Sequence, residues 1–287
     1  MKLTTTEKNK VLPSTLYLVA TPIGNLLDIS ERAKKVLSEV DFIAAEDTRN
    51  TLKLISAYGI KKELVSYFEH NKKASGERII ARLLSGESCA LVTDAGMPAI
   101  SDPGEDIVRL AAEREINVNI IPGACAAVSA LALSALPTGK FTFEGFLPAS
   151  YGERQKALKK LEFEYRTMIF YEAPHKLLKT LTDMRDIFGG ERKISLSREL
   201  TKLNEETVRT TLSGALELFS EKEPRGEYVL VVEGNAGGAE NELLNLTITE
   251  HIAHYIENGL SKKDAIKAVA KDRDMPKSEI YKYTIED

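Results

Sequence analysis

The residues best equipped for chemistry stand in short polar clusters, each directly behind an apolar run. Glu46-Asp47-Thr48-Arg49 sets three charges within four residues after Asp41–Ala45. A carboxylate there can take a proton, and a neighbouring guanidinium can hold that carboxylate or a phosphate. Asp94 follows Cys89–Thr93 and precedes Ala95-Gly96, small residues that leave the backbone open to a ligand. Its carboxylate can accept hydrogen bonds from hydroxyls or an amine. Glu172 and His175 close the run Thr167–Ala173, and His70 sits in Glu69-His70-Asn71. Several of these have a plainer reading. Asp47 can cap the next helix with Arg49 paired to it, Asp94 can cap a turn, and His70 can be a loop residue. Asp102-Pro103-Gly104 reads as a turn whose aspartate caps the following helix.

These clusters need a scaffold that gathers them. Short apolar runs at Leu16–Ala20, Asp41–Ala45, Glu63–Tyr67, Cys89–Thr93 and Val118–Ile121 read as strands buried on both faces. Helical patterns separate them at Ser30–Val40, Thr48–Tyr58, Ser75–Leu84, Gly104–Arg114 and Ala124–Leu136, with Ser30 as an N-cap and Gly59 as a stop. Strand–helix alternation with short connections predicts a mainly parallel, doubly wound α/β sheet. Ligands of such sheets bind beyond the C-terminal strand ends, where the polar clusters stand. After Leu136–Lys140 the pattern changes. Strands at Phe141–Phe146, Thr167–Ala173, Ile194–Arg198 and Glu227–Glu233, the last three able to alternate, are interleaved with helices at Gly152–Leu161, Pro174–Phe188 and Ser213–Ser220. This predicts a second α/β domain with a mixed sheet. Gly234–Asn241 reads as a linker, and a helical tail follows in which Met275-Pro276-Lys277-Ser278 opens the second helix of a helix-turn-helix-like pair, or equally of a plain αα-hairpin. The expected domains are 15–137, 140–235 and 242–287.

Composition limits the chemistry. The formal net charge of −4 argues against indiscriminate nucleic-acid binding, yet Ser150–Lys202 holds 12 Lys/Arg against 8 Asp/Glu, leaving −8 for the remainder. A basic middle suits a partner with negative charge on one face, with Arg154, Lys156, Lys159, Lys160 and Arg166 as a candidate phosphate track. The plainer reading is a set of solvated helix faces. Two cysteines, Cys89 and Cys125, each in an apolar segment, read as reduced thiols. The polar start lacks the apolar middle of a signal peptide, and no run approaches a membrane span, so a cytoplasmic, membrane-free protein is expected. No Cys/His spacing suggests zinc. His251 and His254 could share a metal but read more simply as two exposed histidines, so no metal is expected. Neither a P-loop nor a G-x-G-x-x-G turn is present. Ala20-Thr21-Pro22-Ile23-Gly24-Asn25 stands in its place, so the ligand at these strand ends is expected to carry no phosphate.

Taken together, TPIGNLLDISERA, EDTR, DAGMPAISDPG, PGACAAVSAL, EGFLP, FYEAPHKLL, SRELTK and GEYVLVVEG resemble the ribosomal RNA small-subunit methyltransferase I family of the tetrapyrrole-methylase-like superfamily. The resemblance runs from Leu16 to Glu233, and the tail is similar to the family's helix-turn-helix extension. It implies S-adenosylmethionine as methyl donor in a cleft between two α/β domains, 2′-O-methylation of a cytidine (C1402) of 16S rRNA in the small ribosomal subunit, and a homodimer. Carried over residue by residue, the donor's site comprises Pro22, Ile23, Asp94, Ala95, Ile100, Cys125 and Ala126, with Tyr171 and Glu172 from the second domain. The family pattern more often has Ser and Thr where this chain has Thr93 and Met97. Glu46 or Asp47 is the expected proton acceptor, with Arg49 positioning one of them or a phosphate. Tyr67, Phe68 or Tyr151 could stack on a base. Two other readings use the same sequence: a methylase of tetrapyrrole ring carbons, needing no basic track, and a non-catalytic ribosome-assembly factor, needing no methyl donor.

Overall fold

The computed structural model describes residues 10–220, 223–235, 243–244, 246–273 and 275–284; most of the linker expected at Gly234–Asn241 lies outside them. Five strands, β1 (Thr15–Val19), β2 (Phe42–Ala45), β3 (Glu63–Ser66), β4 (Cys89–Val92) and β5 (Asn117–Ile121), form one sheet in the order β3-β2-β4-β1-β5. Every pairing in it is parallel. Alternate residues feed opposite cores. Tyr17 and Val19 pack with α1 (Glu31–Glu39) and α2 (Thr48–Ala57), whereas Leu16 packs with α3 (Lys72–Leu84) and α4 (Glu105–Glu113). Helices on both faces explain why these strands read as continuous apolar runs. Ser30 caps α1 by accepting the Ala33 amide at 3.0 Å, and Gly59 takes the left-handed conformation (φ 71°) just beyond α2.

The second sheet contains β6 (Phe141–Phe146), β7 (Thr167–Glu172), β8 (Lys193–Arg198), β9 (Glu206–Thr211) and β10 (Tyr228–Val232), in the order β6-β7-β10-β8-β9. Only β6 and β7 are parallel, so the sheet is mixed. The expected alternation fails in β7, β8 and β10, which are buried on both faces. One face carries α6 (Tyr151–Lys160), α7 (Pro174–Phe188) and α8 (Leu212–Leu218) over Met168, Phe170, Leu196 and Leu230. The other carries α5 (Ala126–Leu133) over Ile169, Val229 and Val231. Each fully buried Leu, Ile, Val or Phe contributes about 1.5–3 kcal/mol, so α5 is a substantial tie to the second sheet.

The tail forms α9 (Ile248–Glu257), α10 (Lys262–Asp272) and α11 (Lys277–Lys282) around a separate small core of Ile252, Ile266, Val269 and Ile280. His251 is fully buried in this unit, in contrast to its expected exposure. Its Nδ1 accepts from Arg273 Nε at 3.1 Å, and its Nε2 lies 3.3 Å from Asp272 Oδ2. His254 remains exposed.

Candidate active site

Adjacent strands β1 and β4 send their connections to opposite faces of the first sheet, and such a crossover point opens a crevice at the strand ends. Their following loops are tied together by an isolated antiparallel bridge, in which the Thr21 and Gly96 amides and carbonyls exchange bonds of 2.9 and 3.1 Å. Gly96 has φ 84°, and a Cβ there would stand 3.3 Å from Ile23 Cγ2, so glycine keeps the crevice open. The second sheet supplies the opposite wall. The turn after β1 touches the loop after β8: the Asn25 amide donates to Thr201 Oγ1 at 3.1 Å, and a Cβ on Gly24 would collide with the Lys202 stem. The TPIGN and SRELTK segments therefore meet and close one end of the cleft.

The cleft has a volume of about 590 Å³, within the range of small-molecule sites. Ile23, Ala95, Ile100, Cys125, Ala126 and Val229 give it apolar walls, and Glu46, Asp94, Asp102 and Glu172 bring carboxylates. Of the residues expected to hold a donor, all but Pro22 line it; Pro22 is buried and does not face the cavity. The Glu172 carboxylate is buried, accepting from the Ala173 amide at 2.9 Å and the Thr180 hydroxyl at 2.5 Å, so its position is fixed by the N-cap and the second turn of α7. The Thr93 hydroxyl stands 3.1 Å from the Ala95 carbonyl and also meets the Asp102 carboxyl, while Met97 lines the cleft. Burial pushes the Tyr171 phenol up to about 12, which keeps it neutral.

The EDTR cluster divides in two. Asp47 caps α2, accepting the Arg49 amide at 2.8 Å, and its two oxygens receive Arg49 Nε at 3.1 Å and Nη2 at 2.7 Å. These hydrogen bonds hold its carboxyl down at about 2, which makes it a weak proton acceptor. Glu46 faces the cleft instead, and burial followed by the nearby charges of Asp94 and Asp47 raises its pKa. Asn50, one turn into α2, donates to Asp94 Oδ2 at 2.9 Å and fixes that carboxylate.

Asp102 does not cap α4. Gly104 occupies that position, and Asp102 lines the cleft, where burial and then the charges of Glu46 and Asp94 push its carboxyl up to about 6. Its loop includes Ala99 and Ser101 at φ 67° and 60°, a strained region for non-glycine residues that clusters at functional sites. The Asp-Pro-Gly spelling concealed this role because it is equally good turn chemistry. Lys202, also unforeseen, lines the far wall with Nζ held by Glu199 and Glu227 at 3.0 and 2.8 Å.

The basic track needs correction at Arg154. This side chain is 5% exposed and bonds Asp183 at 2.5 Å and the Ala149 carbonyl at 3.0 Å, because it and Leu158 share the inward face of α6. Lys159 and Arg166 pair locally with Glu162 and Glu164, whereas Lys156 and Lys160 are exposed and make no ion pair among the described residues. Of the three stacking candidates, Tyr67 is buried in the first-sheet core, while Phe68 and Tyr151 are exposed. Among the described residues no group of three or more His, Cys, Asp or Glu is arranged to hold a metal, and no helix is long and apolar enough to cross a membrane.

A family model for tetrapyrrole (corrin/porphyrin) methylases matches residues 15–216. The chain is 51% identical over 270 residues to the ribosomal RNA small subunit methyltransferase I of Halalkalibacterium halodurans, covering 93% of each protein. It is 48% identical over 270 residues to the Bacillus subtilis protein of the same name, covering 93% of this chain and 92% of that one. Among solved structures, a cobalt precorrin-4 methyltransferase of cobalamin biosynthesis superposes with a TM-score of 0.58 at 15% identity, over 77% of this chain and 95% of that one. The uroporphyrin-III C-methyltransferase of Thermus thermophilus, in complex with S-adenosylhomocysteine, gives 0.54 at 15% identity over 76% and 97%. At these identities the structures establish the fold alone. With the family model spanning most of the chain and relatives near half identity along its length, the chain belongs to the tetrapyrrole methylase family and, within it, to the ribosomal RNA small subunit methyltransferase I family.

Proposed function

We propose that the protein transfers a methyl group from S-adenosylmethionine to 16S rRNA of the small ribosomal subunit, at the ribose 2′-oxygen of a cytidine (C1402). The observation that carries the rRNA methyl-transfer part of this reading is the 51% identity, over 93% of both chains, to a protein named ribosomal RNA small subunit methyltransferase I; the cytidine and its 2′-oxygen rest on the sequence resemblance.

The cleft suits such a donor. S-adenosylmethionine supplies a methyl group already activated on a cationic sulfonium. Glu46, Asp94 and Asp102 give the cavity a negative potential that favours a cation, and nothing in it resembles a phosphate cradle. Ala95, Ile100, Cys125 and Ala126 form an apolar slot of the kind an adenine enters, and Asp94, steadied by Asn50, is placed to accept from ribose hydroxyls or an amine. Tyr171 closes the slot from the second sheet.

Because the methyl group arrives activated, the chain's own task is alignment and removal of one proton. Glu46 takes that proton from the attacking hydroxyl. Its raised pKa makes it a better acceptor than Asp47, whose carboxyl is held by Arg49. The Arg49 side chain, 85% exposed beside this pair, contacts the RNA backbone. Lys156, Lys159, Lys160 and Arg166 extend the phosphate contacts, while Arg154 serves the fold. The enzyme works in the cytoplasm as a homodimer, which light scattering of the purified protein tests.

The test is transfer from methyl-labelled S-adenosylmethionine to small subunits lacking the modification, with the product nucleoside identified by mass spectrometry. A 2′-O-methylated cytidine is expected. Tight donor binding with no labelled RNA overturns the rRNA substrate and turns attention to tetrapyrroles.

A further inference from the structure

Phe146 ends β6, the edge strand of the second sheet, and lines the cleft with 57% of its surface exposed. Its orientation is built by a bulge. The β6–β7 register runs Phe143 opposite Ile169 and then Gly145 opposite Phe170, leaving Glu144 as an extra residue. Phe143 and Phe146 are three apart, so a regular strand would send them to opposite faces. The bulge brings both rings onto Tyr171, edge-to-face, at 5.1 and 5.5 Å between centroids. Gly145 makes the turn possible with φ 64°, and a Cβ there would press on Ser101 Oγ at 3.1 Å, in the loop that carries Asp102. The strand is therefore bent, against the first-sheet loop, in a way that turns a large apolar ring toward the cavity.

An aromatic ring held edge-on by one neighbour and open on the cavity side is a stacking platform. Residues expected to enclose the donor, Cys125 and Ala126, are half-buried beside the buried Val229, whereas Phe146 is much more open to solvent. Resting on the proposed rRNA activity, we propose that Phe146 stacks on the base of the target nucleotide, splayed out of its RNA strand, and so presents its ribose to Glu46. Unpaired bases are commonly held on aromatic rings in this way, and the contact tolerates any ring with a π-face.

The experiment compares Phe146→Ala and Phe146→Tyr with the unaltered enzyme in methyl transfer to unmodified small subunits, with S-adenosylmethionine affinity measured by calorimetry. Phe146→Ala raises KM for the subunit about tenfold or more, leaves donor affinity unchanged, and Phe146→Tyr restores KM. An unchanged subunit KM, or a loss of donor affinity in Phe146→Ala, overturns the assignment. The chain contains no tryptophan, so Phe146→Trp carries a single reporter. Its fluorescence is expected to be indifferent to S-adenosylhomocysteine alone; quenching by that compound would overturn the assignment in favour of the donor's adenine. If the unaltered enzyme methylates no subunits, the rRNA reading falls and this one with it. If it does and Phe146→Ala keeps its KM, only the stacking assignment fails.

Discussion

Three carboxylates near one cavity behave differently because of what surrounds each. Asp47 has two hydrogen bonds from one guanidinium and another from a backbone amide, so it stays ionised and weakly basic. Glu46 has burial and two like charges, which push it the other way. Asp102, pushed up to about 6, adds to the same cluster. The sign for activity follows from the role. A base must be ionised, so methyl transfer is expected to rise with pH along an acid limb set by Glu46, above the ordinary carboxylate range. Asp94→Asn removes a negative charge that raises Glu46, so the limb moves to lower pH while KM for the donor rises; initial rates from pH 4.5 to 8 check both. These roles were only half legible in the sequence. Glu-Asp-Thr-Arg announced a site but not its division, because nothing in the spelling says which carboxylate faces inward. Asp102 was hidden by good turn chemistry, and Arg154 looked like its lysine neighbours although it sits one turn before the buried Leu158.

At the scale of elements, the buried parallel strands were read almost to the residue, because helices on both faces force continuous apolar runs, whereas α3 begins at Lys72 rather than Ser75 and α5 ends at Leu133 rather than Leu136. Two features escaped. β9, Glu-Thr-Val-Arg-Thr-Thr, is an edge strand with no buried residue and so carries no apolar signal. α5, Ala-Ala-Val-Ser-Ala-Leu-Ala-Leu, is apolar all round and does not say which sheet it covers. Close approach of elements gives two tests. A Cβ on Gly123 would stand 2.8 Å from Ala20 Cβ, where the segment after β5 presses on the end of β1. Gly123→Ala is expected to lower stability by about 1–3 kcal/mol, the usual cost of overpacking, as read by urea denaturation. Arg154→Leu leaves Asp183 buried with, among the described residues, only Gln155 as side-chain partner, at 2.7 Å, and is expected to cost about 3–5 kcal/mol. Lys156→Glu with Lys160→Glu should leave stability intact and raise KM for the subunit, more steeply as salt is lowered.

For the whole molecule, the two sheets and the tail have separate cores, and the cleft exists only where the sheets meet. The tail carries its own pH dependence. His251 is fully buried against Arg273, Asp272 and Tyr255, with His254 nearby, and burial followed by the Arg273 charge lowers its pKa below the usual 6.5. A histidine with a lowered folded pKa contributes its stability above 6.5, and that contribution is lost as pH falls toward the folded value. Amide exchange within 248–282, corrected for intrinsic rates, should therefore show loss of protection between pH 7.5 and 5.5 while the sheets stay protected. His251→Gln should abolish the difference.

As proposed, methyl transfer occurs in the inter-sheet cleft with Glu46 as proton acceptor. The measurement that tests it most directly is single-turnover methyl transfer to unmodified small subunits as a function of pH, with enzyme saturated by S-adenosylmethionine, for the unaltered protein and Glu46→Gln. Glu46→Gln is expected to lower the rate about 100-fold or more and remove the acid limb, while weakening donor binding far less than it lowers the rate. A variant with an undiminished rate and an unchanged limb would contradict it.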